Sequence, residues 1–351
     1  MKLSTSAAIA ALSILATNAA HAGPAIPTVI KTATVLPEGT VWYQAVKDMG
    51  TEWGTATSNR VTMRLYAGGI AGDDPDMLRK MRVGQLQAGV ISMNGLAEID
   101  EAFKVFRLPL FFASYEEMRA VLAAMTPVLE QRLAAKGFVL LNWSEVGWVY
   151  LFSAKPVATV ADLKSSKMFS FAGDDQMTSW WKQQGFQPVA ISTTDIPTAL
   201  QTGMLQTMPT TPLAALTLQW YRQLPNMLEL GMGPLLGGTI LTKKTWDAIS
   251  PEDQKKMLEA AGHAEKRLQE EAGKQDKVAT AEMVKRGLKV VSIDAAQEGV
   301  WRKEAEQLLT TMRGVVVPAD AYDTALKLRD EYRKSGPKPT TKPAAKPGAS
   351  R

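Results

Sequence analysis

The 351-residue chain has no cysteine and only two histidines, His21 and His263. Disulfides, cysteine metal sites and thiol catalysis are therefore excluded, and histidine acid–base or metal chemistry has almost nothing to work with. The net charge of +5 sits at the ends. Five of the 40 Lys and Arg residues are Lys2, Lys338, Lys342, Lys346 and Arg351, which leaves 35 against 35 Asp and Glu and no basic footprint for nucleic acid.

Met1–Ala22 reads as a secretory signal peptide: Lys2 supplies the charge, Ala7–Ala16 the apolar run, and Ala20-His21-Ala22 the small-x-small cleavage site. The run is too short for a membrane span of about 20 residues, so an exported, periplasmic protein is expected. Residues 336–351, rich in proline, lysine and alanine, cannot bury a core and are expected to be disordered. About 310 residues lie between, more than one core usually holds, so two lobes are expected.

Val29–Leu36 is a β-branched strand, and Thr40 is placed to cap a helix running to about Ser58. Arg60–Tyr66, a helix over Pro75–Val83 and a strand over Leu86–Met93 continue a strand–helix alternation that predicts a parallel sheet. The glycine-rich turn Ala67–Asp74 has neither phosphate-loop spacing, and Asp73 and Asp74 would repel phosphate. It reads as a tight turn where backbone comes close to a neighbour. Phe106–Phe112 carries a central proline and suits an edge or crossover. Then come a helix over Glu116–Lys136 and strands over Phe138–Trp143, Gly147–Phe152 and the end of Asp162–Phe171. Further helices are expected over Asp174–Gly185, Asp195–Thr202 and Pro212–Leu224, with strands over Gln187–Ile191, Met204–Met208 and Leu235–Thr242. A very long helical pattern, Trp246–Arg286, must span both lobes or kink. The strand Leu288–Ile293 and helices Ala295–Met312 and Pro318–Tyr332 complete the body.

This is an α/β pattern in two lobes, with crossings near Gly147 and Leu236. The expected division is 27–147 with 236–270 for the first lobe, and 148–235 with 271–335 for the second. Ligands of open α/β sheets lie beyond the strand carboxyl ends, which here means an interlobe cleft. No G-x-S-x-G elbow is present, so no enzyme, catalytic residue, metal or cofactor is expected.

The phrases Met63–Val90, Phe106–Met118, Glu145–Met168, Ala199–Gln206 and Gly237–Ser250 together resemble the extracytoplasmic solute-binding proteins of TRAP transporters, of the dicarboxylate-receptor type. The resemblance implies a periplasmic-binding-protein architecture with crossover strands and one long bridging helix. It also implies a receptor, taken here as a monomer, that delivers a small organic solute to a membrane permease driven by an ion gradient. Family members hold a ligand carboxylate with an arginine in D-L-K-G-x-K-x-R, where this chain has Phe169. A second arginine is common at the position of Val149, and Asp-Gly at Gln206-Thr207.

All three departures remove charge. A carboxylate without a donor beside Phe169 and Val149 would be costly, so an uncharged, aromatic or apolar solute is expected rather than a C4-dicarboxylate. Phe169 and Phe171 share a strand face. The expected aromatic lining adds Trp42, Tyr43, Tyr66, Trp143, Trp148 and Tyr150, with polar contacts from Asn94, Gln206, Thr210 and Thr211. An aromatic box also suits a quaternary ammonium, with Glu38 or Glu145 contributing charge. The alternative functions are an apolar-compound or lipid-binding shuttle for another envelope transport system and, ranked last, an enzyme on a receptor-like fold.

Overall fold

The structure, a computed structural model, describes residues 27–336; the signal-peptide reading of Met1–Ala22 and the tail beyond Gly336 lie outside them. β1 (Thr28–Thr34) pairs in parallel with β2 (Val61–Tyr66) on one side and β3 (Ala88–Ser92) on the other. α1 (Val41–Ala56) and α2 (Asp74–Arg82) make the connections. The Thr40 hydroxyl accepts the Tyr43 N–H at 3.2 Å and caps α1, whose face of Trp42, Val46, Met49 and Trp53 is buried. β3 leads into α3 (Met93–Ile99), a 3-10 turn at Glu101–Arg107, and α4 (Tyr115–Ala135).

The next segment departs from the two strands expected. Phe138–Ser153 is one 16-residue strand, β4, antiparallel to β9 (Gly233–Thr242). The register slips twice, between Leu140 and Asn142 and between Glu145 and Gly147. Such irregularities bend a ribbon without ending it, and β4 thereby runs from one half of the molecule to the other. At the second slip Gly147 has φ +153°. A Cβ there would lie 2.7 Å from Asp276 Oδ2 and 2.8 Å from Thr211 Cγ2.

Beyond β4 the sheet continues through β7 (Thr207–Thr210), β5 (Lys167–Phe171) and β6 (Gln187–Ile191), giving the order β2-β1-β3-β9-β4-β7-β5-β6. β8 (Asn226–Leu228) pairs with β4 and with β10 (Lys289–Val291). The sheet is mixed rather than wholly parallel, because β9 and β4 are antiparallel crossovers. α5 (Val160–Lys164) and α6 (Asp175–Gln183) flank β5 in the chain, and α7 (Ile196–Gln201) precedes β7. α8 (Pro212–Thr217) stops short of the expected Leu224: Gln219 takes φ +58° and a 3-10 turn at Trp220–Arg222 follows.

After the short α9 (Lys243–Asp247), the long helical pattern becomes α10 (Pro251–Lys285), 35 residues and roughly 50 Å. Ser250 caps it and Pro251 fits its first turn. Polar contacts fasten α10 along its length, to the start of β2 and to β4. Arg60 donates to both Asp253 oxygens at 2.9 and 2.6 Å, Glu265 accepts the Trp143 N–H at 3.0 Å, and Asp276 accepts the Trp148 N–H at 2.9 Å. This is the bridging helix of a periplasmic-binding-protein α/β fold. α11 (Ala295–Met312) covers the β5 side, burying Trp301. α12 (Ala319–Ser335) packs on α4 and the 3-10 turn, with Tyr322 and Ala325 in their core, although the expected division grouped 271–335 with 148–235.

Candidate functional site

The two halves meet through polar contacts. The Ser192 hydroxyl donates to Asp73 Oδ2 at 2.5 Å, Lys104 Nζ to the Gln176 carbonyl at 2.5 Å, and Arg107 Nη1 to Asp174 Oδ2 at 2.8 Å. The glycine turn after β2 comes close to its neighbour as expected: a Cβ on Gly69 would lie 3.6 Å from Thr194 Cγ2. α6 also inserts Met177 and Trp180 into the core formed by α3 and α4.

Beside this seam lies a cavity of about 220 Å³. Its walls come from the segment Phe106–Leu110, from β4 and β5, from Met232–Leu235 and from α11. Val149, Phe169 and Phe171 all line it, so three of the residues expected in the lining converge on one space. The Phe169 and Phe171 rings pack edge to face at 4.8 Å and 76°. Trp181, Phe186 and Trp301 supply further aromatic wall. Among the described residues, the ionisable groups in the lining are Arg107 and Glu304. The segment 106–110 and the helix α11 were not read as lining from the sequence. The proline at 109 marked an irregular segment, but nothing local in α11 separates a cavity wall from ordinary packing.

Trp148 and Tyr150 go elsewhere. Successive strand residues face opposite sides, and these two line a second, wider cavity of about 670 Å³ with Tyr115, Glu229, Asp276 and Lys277. Tyr115 and Trp148 pack edge to face at 4.9 Å. Burial raises Asp276 to about 6, offset in part by the N–H groups of Trp148 and Leu213. Burial likewise raises the Tyr115 and Tyr150 phenols.

The remaining expected residues line neither cavity. Trp143 is in the core, its indole N–H donating to Thr126 Oγ1 at 2.9 Å. Trp42 is 3% exposed on the core face of α1, and Tyr43 sits beside it at the helix start. Tyr66 ends β2, with the Arg64 guanidinium 5.3 Å over its ring. Asn94 is buried in the first turn of α3. Gln206 accepts the Lys167 N–H at 3.3 Å, at the opposite end of β5 from Phe171. Thr210 pairs with Tyr150 between strands, and Thr211 caps α8. Glu145 is 2% exposed and held by Arg119 at 2.7 and 2.6 Å, which leaves it no free charge for a cation.

Among the described residues no group of three or more His, Asp or Glu could hold a metal ion, and no helix is long and apolar enough to cross a membrane. Residues 32–313 match the profile of the bacterial extracellular solute-binding proteins, family 7. The chain belongs to this family. Family 7 proteins are solute-binding receptors, not enzymes. A Sulfitobacter solute-binding protein, NAS141_03721, is 22% identical over 294 residues, 83% of this chain and 87% of its own length. The sugar acid binding protein DctPAm from Advenella mimigardefordensis, solved with galactonate, superposes with a TM-score of 0.81 at 17% identity, covering 87% of this chain and 98% of its own. DctP7 from Bordetella pertussis, an extracytoplasmic solute receptor binding pyroglutamic acid, gives 0.78 at 21% identity over 86% and 99%. The fold of this family 7 chain is thus that of solved extracytoplasmic receptors.

Proposed function

We propose that this chain is a periplasmic receptor that takes a small, largely apolar or aromatic, uncharged solute into the cavity at the seam and delivers it to the membrane permease of a TRAP-type transporter. The observation that carries the ligand class is the convergence of Val149, Phe169 and Phe171 on one cavity. An apolar cavity of roughly 150 Å³ takes up benzene, so about 220 Å³ suits one ring with a short substituent. Galactonate and pyroglutamic acid, bound by the structural relatives, are acids. Here such an acid would meet phenylalanine and valine at those positions, and Arg107, the cation in the lining, is already paired with Asp174 at 2.8 Å while Glu304 adds a like charge. The test is thermal unfolding with matched panels: small aromatic amides and alcohols on one side, succinate, malate and galactonate on the other. Stabilisation by the aromatic panel alone supports the reading. Micromolar binding of a C4-dicarboxylate or a sugar acid contradicts it.

A further inference from the structure

The cation in the cavity wall is the feature that the apolar reading leaves unused. Arg107 ends the 3-10 turn of one half, and Asp174 caps α6 of the other. Their side chains are 15% and 10% exposed. Asp174 divides its oxygens: Oδ2 accepts from Arg107 Nη1 at 2.8 Å, and Oδ1 accepts the Met177 N–H at 3.3 Å. The guanidinium carbon stands 5.4 Å over the Phe171 ring, itself part of the lining. Nε and Nη2 of Arg107 make no hydrogen bond among the described residues, so a half-shielded fork of N–H donors borders a mainly apolar space.

The charge of that fork is already answered. Asp174 cancels it at contact distance, and Glu304 adds a second carboxylate to the same lining. A solute carboxylate would gain the N–H donors but meet two like charges in a poorly solvated space. A neutral carbonyl oxygen would gain the same donors without the repulsion, since hydrogen bonds to a charged donor are the stronger ones.

We propose that Arg107, neutralised by Asp174, is the specificity-determining polar contact of the cavity: it donates an N–H to one neutral carbonyl oxygen of an otherwise apolar solute and turns away the carboxylate of the same shape. The inference rests on the apolar-receptor reading and names the head group that such a solute carries. It also makes Asp174, which is not itself among the residues lining the cavity, the residue that sets charge preference. Asn is as good a helix cap as Asp, so Asp174→Asn keeps the cap while exposing the positive charge of Arg107.

The test is calorimetric titration of phenylacetamide against phenylacetate, and of hexanamide against hexanoate, into the wild-type, Asp174→Asn and Arg107→Leu proteins, with circular dichroism to confirm folding. Wild type is expected to bind each amide at least tenfold more tightly than its acid. Asp174→Asn is expected to reverse that order. Arg107→Leu is expected to lose about tenfold toward the amides and to gain nothing toward the acids. Equal amide affinity in wild type and Arg107→Leu, or acids preferred by wild type and unchanged in Asp174→Asn, overturns the role of Arg107 while leaving an apolar receptor. Binding of galactonate or succinate by wild type, with no amide bound, overturns the apolar reading itself. Should Arg107→Leu fail to fold, the amide–acid order in wild type and Asp174→Asn decides alone.

Discussion

Gly147 is the residue at which the crossover strand can be broken by one methyl group. It occupies φ +153° at the second register slip of β4, a conformation that residues with a Cβ avoid at a cost of about 1–3 kcal/mol. The added Cβ would also lie 2.7 Å from Asp276 Oδ2, the oxygen that accepts the Trp148 N–H at 2.9 Å. Relieving that clash moves the carboxylate off a charge-assisted hydrogen bond worth about 1.5–3 kcal/mol. Gly147→Ala is therefore expected to cost about 2–6 kcal/mol in urea unfolding at unchanged m-value. Gly262 is the control: it lies inside α10 with no atom within 4 Å of a Cβ, so Gly262→Ala is expected to stabilise by up to about 1 kcal/mol. A loss below about 0.5 kcal/mol at Gly147 would refute the claim that β4, α8 and α10 are locked together there.

Three further outcomes are expected. Burial raises Asp276 to about 6 from 3.8, so its folded-state pKa lies above the unfolded one. Its contribution is complete below about pH 4 and is lost as pH rises through about 6, by at most about 3 kcal/mol for a two-unit shift. Wild type should lose stability relative to Asp276→Asn between pH 4.5 and 7.5, and parallel pH profiles would contradict this. Arg119→Met leaves Glu145, 2% exposed, without its partner and is expected to cost about 3–5 kcal/mol in urea unfolding, largely recovered by adding Glu145→Gln; a cost below about 1 kcal/mol would contradict the pairing. Phe169→Arg places a guanidinium where the ring is 5% exposed. It is expected to weaken phenylacetamide at least tenfold and to admit phenylacetate by calorimetry, whereas unchanged phenylacetamide affinity would put Phe169 outside the site.

The elements were legible where period and capping agreed. α1 began at Thr40 with its four apolar residues inward, and β5 placed Phe169 and Phe171 on the stretch expected for them. The continuity of β4 was not legible, because a strand interrupted by Gly147 looks the same in sequence as two strands with a turn. Aromatic residues gave the weakest guidance. Trp143 and Phe169 are each buried and each on a strand, and only the partner across the space distinguishes a core tryptophan from a cavity wall. Strand alternation carried more information than composition: Val149 and Trp148 must part company, as they do. Arg107 was hidden for a different reason. It sits in a run of apolar residues ended by Pro109, and its relation to Asp174 and Phe171 exists only after 67 and 64 residues of chain have folded back.

The account stands on the character of the solute. Native mass spectrometry of the protein, purified from its source without denaturation, tests it most directly. An adduct released as a neutral, mainly apolar or aromatic molecule with one carbonyl oxygen is the predicted result. An adduct identified as a dicarboxylate or a polyhydroxylated sugar acid would contradict it.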